Sequence, residues 1–383
     1  MPRIVAFTVH AIDLPFRLKF EHAAASRSQS ESLFVELKLD DGTIGWGESL
    51  PRPYVTGEAR DSACVLLTSH ILPHLLDRSF DSFEEVIAFL TECDGKAPAA
   101  WVSPQMPHWA AWCAVDLALL DAFGKHFKQS PFGPATLRSD LRYSGVVSSG
   151  KGWKHRAQLL GYRLLGFREL KLKIDASTTA TDIAKIHRFT GDRIHLRADV
   201  NMGWDVSQAL HLMPALARNG VRSFEQPLTA SDFGGAARLI RETGLDVMAD
   251  ESFSTAESLK SLISMNACTA INARISKCGG LVATLARCRE AQAAGLFVQV
   301  GCQVGESSLL SAAHLHLCAA FPEVRHAEGC FGTILLEEDP VSPALRFGRG
   351  GKPPRIPRGP GLGIQIDRST LEHHRSGHWS RSA

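Results

Sequence analysis

The chain has 383 residues, a formal net charge of +2 and a hydrophobic content of 44%. That balance supplies a large core, excludes a disordered chain, and offers no strong electrostatic pull toward nucleic acid or a membrane surface. No run approaches the ~20 apolar residues of a membrane span. The opening MPRIVAFTVHAIDLPF lacks the apolar stretch and small-residue cleavage site of a signal peptide. Nine cysteines occur without a C-x-x-C pair and read as buried thiols in a reducing cytoplasm.

In chain order, residues 1–55 alternate like antiparallel strands: IVAFTVHAI, SLFVELKL, then TIGWGE after an Asp41-Gly42 turn, a strong hairpin cue. The Ser-rich stretch 21–31 predicts a mobile loop. Residues 58–127 predict helices, the clearest being PHWAAWCAVDLALLDAFGKHF. These elements predict an α+β capping domain at 1–130. The Gly/Pro-rich segment at about 357–370 ends in a short strand that returns to complete it. Residues 371–383 predict a disordered tail.

The middle of the chain, residues 140–345, has a period. YSGVVSSG at 143–150 is a candidate first strand. Short apolar strands then end at Lys173, Asp199, Glu225, Asp250, Lys277, Cys302 and Glu328, at intervals of 26, 26, 25, 27, 25 and 26 residues. Helix-like stretches lie between them. Repeated βα units of this length predict a parallel sheet closed into a barrel. An open doubly wound sheet is the competing reading, and the absence of a G-x-G-x-x-G turn weakens it.

In such a barrel every strand's C-terminal end faces one mouth, where active sites are built. Asp199, Glu225 and Asp250 end three consecutive strands. Three carboxylates converging at one mouth repel one another without a cation, and hard oxygen donors suit Mg²⁺. Lysines flank the acids. Lys171 and Lys173 share one strand face, and Lys277 follows Asp250. An ammonium beside a divalent cation and another ammonium loses its proton more easily, which tunes Lys173 toward general-base work, with Lys171 as its electrostatic neighbour. Removing a proton beside a carboxylate creates a near-dianionic enediolate, which a metal can stabilise.

These residues form an ordered motif set: K-x-K (Lys171, Lys173), D-x-N (Asp199, Asn201), E-x-P (Glu225, Pro227), D-E-S (Asp250, Glu251, Ser252) and K-x-G-G (Lys277, Gly279, Gly280). With GWGE at 45–48, AVDLALLDAFGK at 114–125 and GPGLGI at 359–364, the chain resembles the muconate-lactonizing-enzyme subgroup of the enolase superfamily over nearly its whole length. The resemblance implies an α/β fold, a modified TIM barrel (β/α)7β under an N-terminal α+β capping domain. It implies Mg²⁺, or Mn²⁺, held by Asp199, Glu225 and Asp250, with Asn201 and Glu251 in support. It implies Lys173 and Lys277 as acid/base residues, a small carboxylate substrate and a homo-oligomer. Candidate substrate contacts are Tyr54, Gln303 and Glu328. Some relatives of this kind carry an acidic pair near the eighth strand that binds a substrate ammonium; here the segment reads His326-Ala327-Glu328.

The expected activity is that of a racemase or epimerase acting on an amino-acid or dipeptide derivative. A muconate-type cycloisomerase, or a dehydratase or synthase using the same residues, is the alternative. A Schiff-base aldolase and a non-catalytic metabolite-binding barrel are the competing classes.

Overall fold

The computed structural model describes residues 1–22, 25–134, 136–147, 152–175 and 178–383. β1 (Ile4–His22) and β2 (Ala25–Leu39) pair antiparallel with Val9 opposite Val35, and β3 (Ile44–Ser49) adds to β2. The Asp41-Gly42 turn forms as expected, with Thr43 N–H donating to Asp41 Oδ1 at 2.8 Å.

Two sequence expectations fail in this sheet for one reason. Residues 25–31, expected to be a mobile loop, belong to β2; residues 23–24 fall outside the described residues. Residues 371–383, expected to be disordered, end a short helix (Arg368–His373) and form the strand Arg375–Ser382, which pairs with β1. Strand pairing uses backbone groups, so a polar segment pairs wherever a neighbouring edge offers donors and acceptors. Composition alone does not reveal that edge.

Three helices follow: α1 (Arg60–Val65), α2 (Phe83–Cys93) and α3 (Trp109–Phe127). α3 is buried from Ala110 to Gly124. It lies directly on β3 because glycine removes the intervening side chains: a Cβ on Gly47 would stand 1.8 Å from the Ala114 carbonyl oxygen. Asp121 of α3 accepts the N–H of Trp46 and of Leu362, each at 2.9 Å, fastening β3 and the GPGLGI segment to one helix.

The second layer is a single parallel sheet in chain order. Its strands are β4 (Gly145–Val147), β5 (Glu169–Lys173), β6 (His195–Asp199), β7 (Val221–Glu225), β8 (Asp246–Ala249), β9 (Ala270–Ala273), β10 (Phe297–Val300) and β11 (His326–Ala327). Tyr143, just ahead of β4, bridges to Ala327, and Ser144 N–H donates to the Ala327 carbonyl at 2.9 Å, so the sheet closes. Residues 148–150 of the expected first strand lie outside the described residues. Helices α4 (Trp153–Leu165), α5 (Ala180–Thr190), α6 (Val206–Ala217), α7 (Phe233–Thr243), α8 (Ala256–Ser264), α9 (Leu281–Ala293) and α10 (Ser308–Ala320) follow the first seven strands. β11 is followed only by the turn of helix Gly332–Leu335. This is a (β/α)7β barrel. Strand alternation sends Leu170, Leu172, Leu196, Ala198 and Phe224 under the helices. It sends Lys171, Arg197, Asp199 and Glu225 inward. Among the described residues, no helix is long and apolar enough to cross a membrane.

Cap and barrel meet through buried carboxylates. Glu48 accepts the N–H of Ser307 at 3.1 Å, its hydroxyl at 2.6 Å and the N–H of Leu310 at 3.3 Å, capping α10. Asp116 accepts Leu281 N–H at 2.7 Å at the start of α9. Within the cap itself, Glu58 accepts Ala110 and Ala111 N–H at 2.8 and 3.0 Å, capping α3. Burial pushes each of these three carboxyls up to about 7.

Candidate active site

The sheet register brings the predicted residues together. Lys173 stands beside Asp199, and Asp199 beside Glu225, at the ends of β5, β6 and β7. Asp250 follows β8 immediately. Its backbone is set by Gln226, whose side-chain oxygen accepts the N–H of Asp250 at 2.9 Å and of Ser252 at 3.1 Å. Asp199, Glu225 and Asp250 are all buried.

Their charges are strongly coupled. Burial alone would raise the Asp199 carboxyl, but the ammonium groups of Lys171 and Lys173 pull it down to about 2. At Asp250 burial is likewise outweighed, by Arg274 and Lys277, and the carboxyl sits well below the usual range. Glu225 goes the other way. Burial, opposed by Lys171 but joined by the charges of Asp199 and Asp250, pushes it up to about 7. Three inward carboxylates that oppose one another's ionisation form the donor set that a hard divalent cation satisfies. Glu251 fits the same reading. One of its oxygens accepts Asn201 Nδ2 at 3.2 Å, while the other is buried without a hydrogen-bond partner among the described residues.

Lys173 reaches the mouth. Its Nζ lies 2.6 Å from Asp199 Oδ2 and 2.8 Å from Asn201 Oδ1, with the side chain 22% exposed. Lys171 points to the same face one step deeper and is buried. Its ammonium is shared among Glu225 at 2.8 Å, Asp199 at 3.1 Å and Glu328 at 3.2 Å. Burial would lower its pKa, but these carboxylates hold it well above the ordinary value. Lys171, expected as an electrostatic neighbour of Lys173, is thus also the counter-ion of three carboxylates.

Lys277 is the larger correction. It does not end a strand; β9 stops at Ala273, and Lys277 lies in the turn beyond. It is 0% exposed and donates to the Asp250 carbonyl at 2.6 Å and to Asp250 Oδ1 at 2.8 Å, with the Phe253 ring 5.2 Å away. The K-x-G-G turn is wedged against the cap: a Cβ on Gly279 would stand 1.8 Å from the Gly95 carbonyl oxygen. The turn therefore packs on the cap, and Lys277 is hydrogen-bonded to Asp250.

The inward strand-end position belongs to Arg274, which sequence reasoning missed. Asn272 points inward, donating to Glu225 Oε1 at 2.9 Å. Arg274 is two residues on and shares that face. Its guanidinium pairs with Asp250 Oδ2 and lies 3.8 Å from Glu225. The signal was present in the alternation of Asn272 and Arg274, and in the interval of 27 residues to Lys277, the longest of the series.

Glu328 is also corrected as a substrate contact. It is 4% exposed and held by Arg197 at 2.9 Å and by Lys171 inside the barrel. Gln303 stands in the loop after β10; it is 4% exposed, and neither amide atom has a hydrogen-bond partner among the described residues. Tyr54 stands in the cap segment after β3, its ring 5.9 Å from the Arg27 guanidinium. Arg52 of that segment reaches the Val304 carbonyl at 3.5 Å, bringing the cap over the loop that carries Gln303.

This architecture is that of a superfamily of barrel enzymes with a separate capping domain. Residues 154–370 match the family model of the enolase C-terminal domain-like fold, and residues 5–131 that of the mandelate racemase/muconate lactonizing enzyme N-terminal domain. The chain belongs to the enolase superfamily, in its mandelate racemase/muconate lactonizing enzyme family. It is 26% identical to the N-succinyl-L-Arg/Lys racemase of Bacillus cereus over 97% of each chain. The crystal structure of that racemase superposes with a TM-score of 0.88 over 99% of this chain and 100% of that one. It is 29% identical to muconate cycloisomerase 1 of Pseudomonas putida over 96% of each chain. It is 26% identical to the L-Ala-D/L-Glu epimerase of Bacillus subtilis, over 94% of this chain and 96% of that one.

Proposed function

We propose that this chain is a Mg²⁺-dependent isomerase that removes the proton from the carbon beside a substrate carboxylate, with Lys173 as the base. The observation that carries this reading is the row Lys173, Asp199, Glu225 in register on β5 to β7, with Asp250 next to it. Asp199, Glu225 and Asp250 would hold the cation, with Asn201 and Glu251 in support. When bound, the cation supplies Lewis-acid stabilisation of negative charge on the substrate carboxylate. Asp199 and Asn201 hold the Lys173 amine at the mouth, ready to take and return a proton. Lys171 offsets the buried carboxylates beneath the site. Gln303 and Tyr54 would meet the rest of the substrate under the cap.

The racemase, the epimerase and the cycloisomerase among its relatives suggest the substrate classes to try: N-succinyl amino acids, dipeptides and muconolactone. The test is deuterium uptake in D₂O, read by NMR on each class with and without Mg²⁺. The expected result is Mg²⁺-dependent loss of the proton beside the carboxylate. Lys173→Ala should slow it by about 10²–10⁴-fold while leaving the thermal midpoint unchanged. Exchange that persists in Lys173→Ala, or without metal, would sink the reading.

A further inference from the structure

We infer that proton transfer in this protein is confined to one face of the substrate, with Lys173 carrying the proton and Arg274 standing opposite as a fixed cation. The inference rests on the proton-abstraction reading above and deepens it. In the eight-stranded ring, β5 and β9 are four strands apart and so lie across the mouth from each other. Lys173 ends β5. The inward position at the end of β9 is Arg274. A guanidinium has five N–H donors and no acceptor, and it is not deprotonated in proteins. It can stabilise charge on the substrate but cannot take a proton from it.

The other lysine on that side does not reach the mouth. Lys277 is fully enclosed, and its two hydrogen bonds both go to Asp250. Two further ionisable groups stand after β10. These are Cys302 and Glu306, and Glu306 is buried and accepts Gln303 N–H at 2.7 Å. Arg274 also has a donor to spare: its buried Nε–H has no acceptor among the described residues. An anionic group on the substrate would supply one.

The consequence is stereochemical. Lys173 takes the proton as the C–H bond breaks, and the electron pair moves onto the carboxylate. Return from the same nitrogen rebuilds the C–H bond on the same face and restores the starting configuration. Net reaction then requires a second bond at a neighbouring carbon to break or form, as in ring opening and closure. A chain built this way isomerises by moving bonds next to the reacting carbon, and does not racemise.

The test compares the two forms of each probe in D₂O with Mg²⁺: N-succinyl-L- and N-succinyl-D-arginine, L-Ala-L-Glu and L-Ala-D-Glu, and muconolactone, whose methylene beside the carboxylate has two distinguishable protons. The expected result is deuterium in one antipode of a pair with its configuration retained, or one deuterium in the methylene and no more. Arg274→Lys should then open the second face, giving exchange in the other antipode or a doubly deuterated methylene. A purely structural role for Arg274 would not produce that gain. Exchange in both antipodes by the unaltered protein, or their interconversion, would overturn the inference while leaving proton abstraction intact. No uptake in any probe would overturn the proton-abstraction reading itself, and this inference with it.

Discussion

Two sets of buried carboxylates occupy this chain, and they are satisfied in different ways. At the barrel mouth, Asp199 and Asp250 face ammonium and guanidinium groups, which hold them ionised. At the helix-capping positions of the cap and the cap–barrel joint, Glu48, Glu58 and Asp116 face backbone N–H groups, and burial pushes them up to about 7. A backbone cap fixes a helix end in place but has little charge to set against burial. Opposed ions concentrate charge where chemistry can use it, at a large desolvation cost. Burial of an acid therefore says little by itself; its partners tell a scaffold from a site.

The contrast can be broken or sharpened experimentally. The largest effect is expected at the mouth. Glu225→Gln should weaken Mg²⁺ binding, followed by calorimetry, on the order of 100-fold or more, with the thermal midpoint of the metal-free protein little changed or raised. Unchanged affinity would remove Glu225 from the proposed metal site. Removing metal with a chelator should stop deuterium uptake and leave the protein folded.

A smaller effect, of the opposite kind, is expected at a cap. Glu58→Ala leaves the first N–H groups of α3 without their acceptor and should cost about 1–3 kcal/mol of stability in urea unfolding. The α-proton exchange rate measured below the melting range should stay the same. A variant that folds as stably as the parent would show that Glu58 caps nothing of consequence.

The smallest effect is a pH slope on α10. Burial lowers His314 to about 4 from the ordinary 6.5, so the folded state binds fewer protons there than the unfolded chain. Its contribution is complete above pH 6.5 and is lost as pH falls toward 4. Between pH 7 and 6 the loss is about 0.7 kcal/mol. Glu48, at the start of the same helix, runs the other way: its raised carboxyl makes the fold less stable as pH rises from 4.5 through 7. His314→Leu should remove the acid-side loss and leave the opposite slope of the raised carboxyls, Glu48, Glu58 and Asp116 together. A pH–stability curve identical to the parent's would contradict this account.

Much of the fold was legible because strands and helices leave periods. The intervals ending at Lys173, Asp199, Glu225 and Asp250 place the barrel and its acidic arc, and the Asp41-Gly42 turn places the cap hairpin. The errors share a cause. The period counts polar residues near strand ends but does not say which end points inward. Lys277 fitted the count, yet Arg274 has the inward parity, and the glycines after Lys277 serve contact with the cap, Gly279 with Gly95 and Gly280 with Asp116. Glu328 likewise ends a strand, but Arg197 and Lys171 claim it from distant strands. The polar segments 25–31 and 375–382 became strands through backbone pairing that composition does not show, the first with residues 13–22 just before it and the second with residues 6–12 at the other end of the chain.

The pairing of Ala6 with Ser382 has a bearing on assembly. β1 emerges early in synthesis, and its outer neighbour is made only after the whole barrel. The β1 edge stays open through that interval, and closing it carries the entropy of a very long loop. An exposed edge of this kind is where a second nascent chain can pair by mistake. The last residues thus act as the seal on a lid whose other parts are already in place, and trimming them would leave the enzyme's catalytic half complete and its cap adhesive.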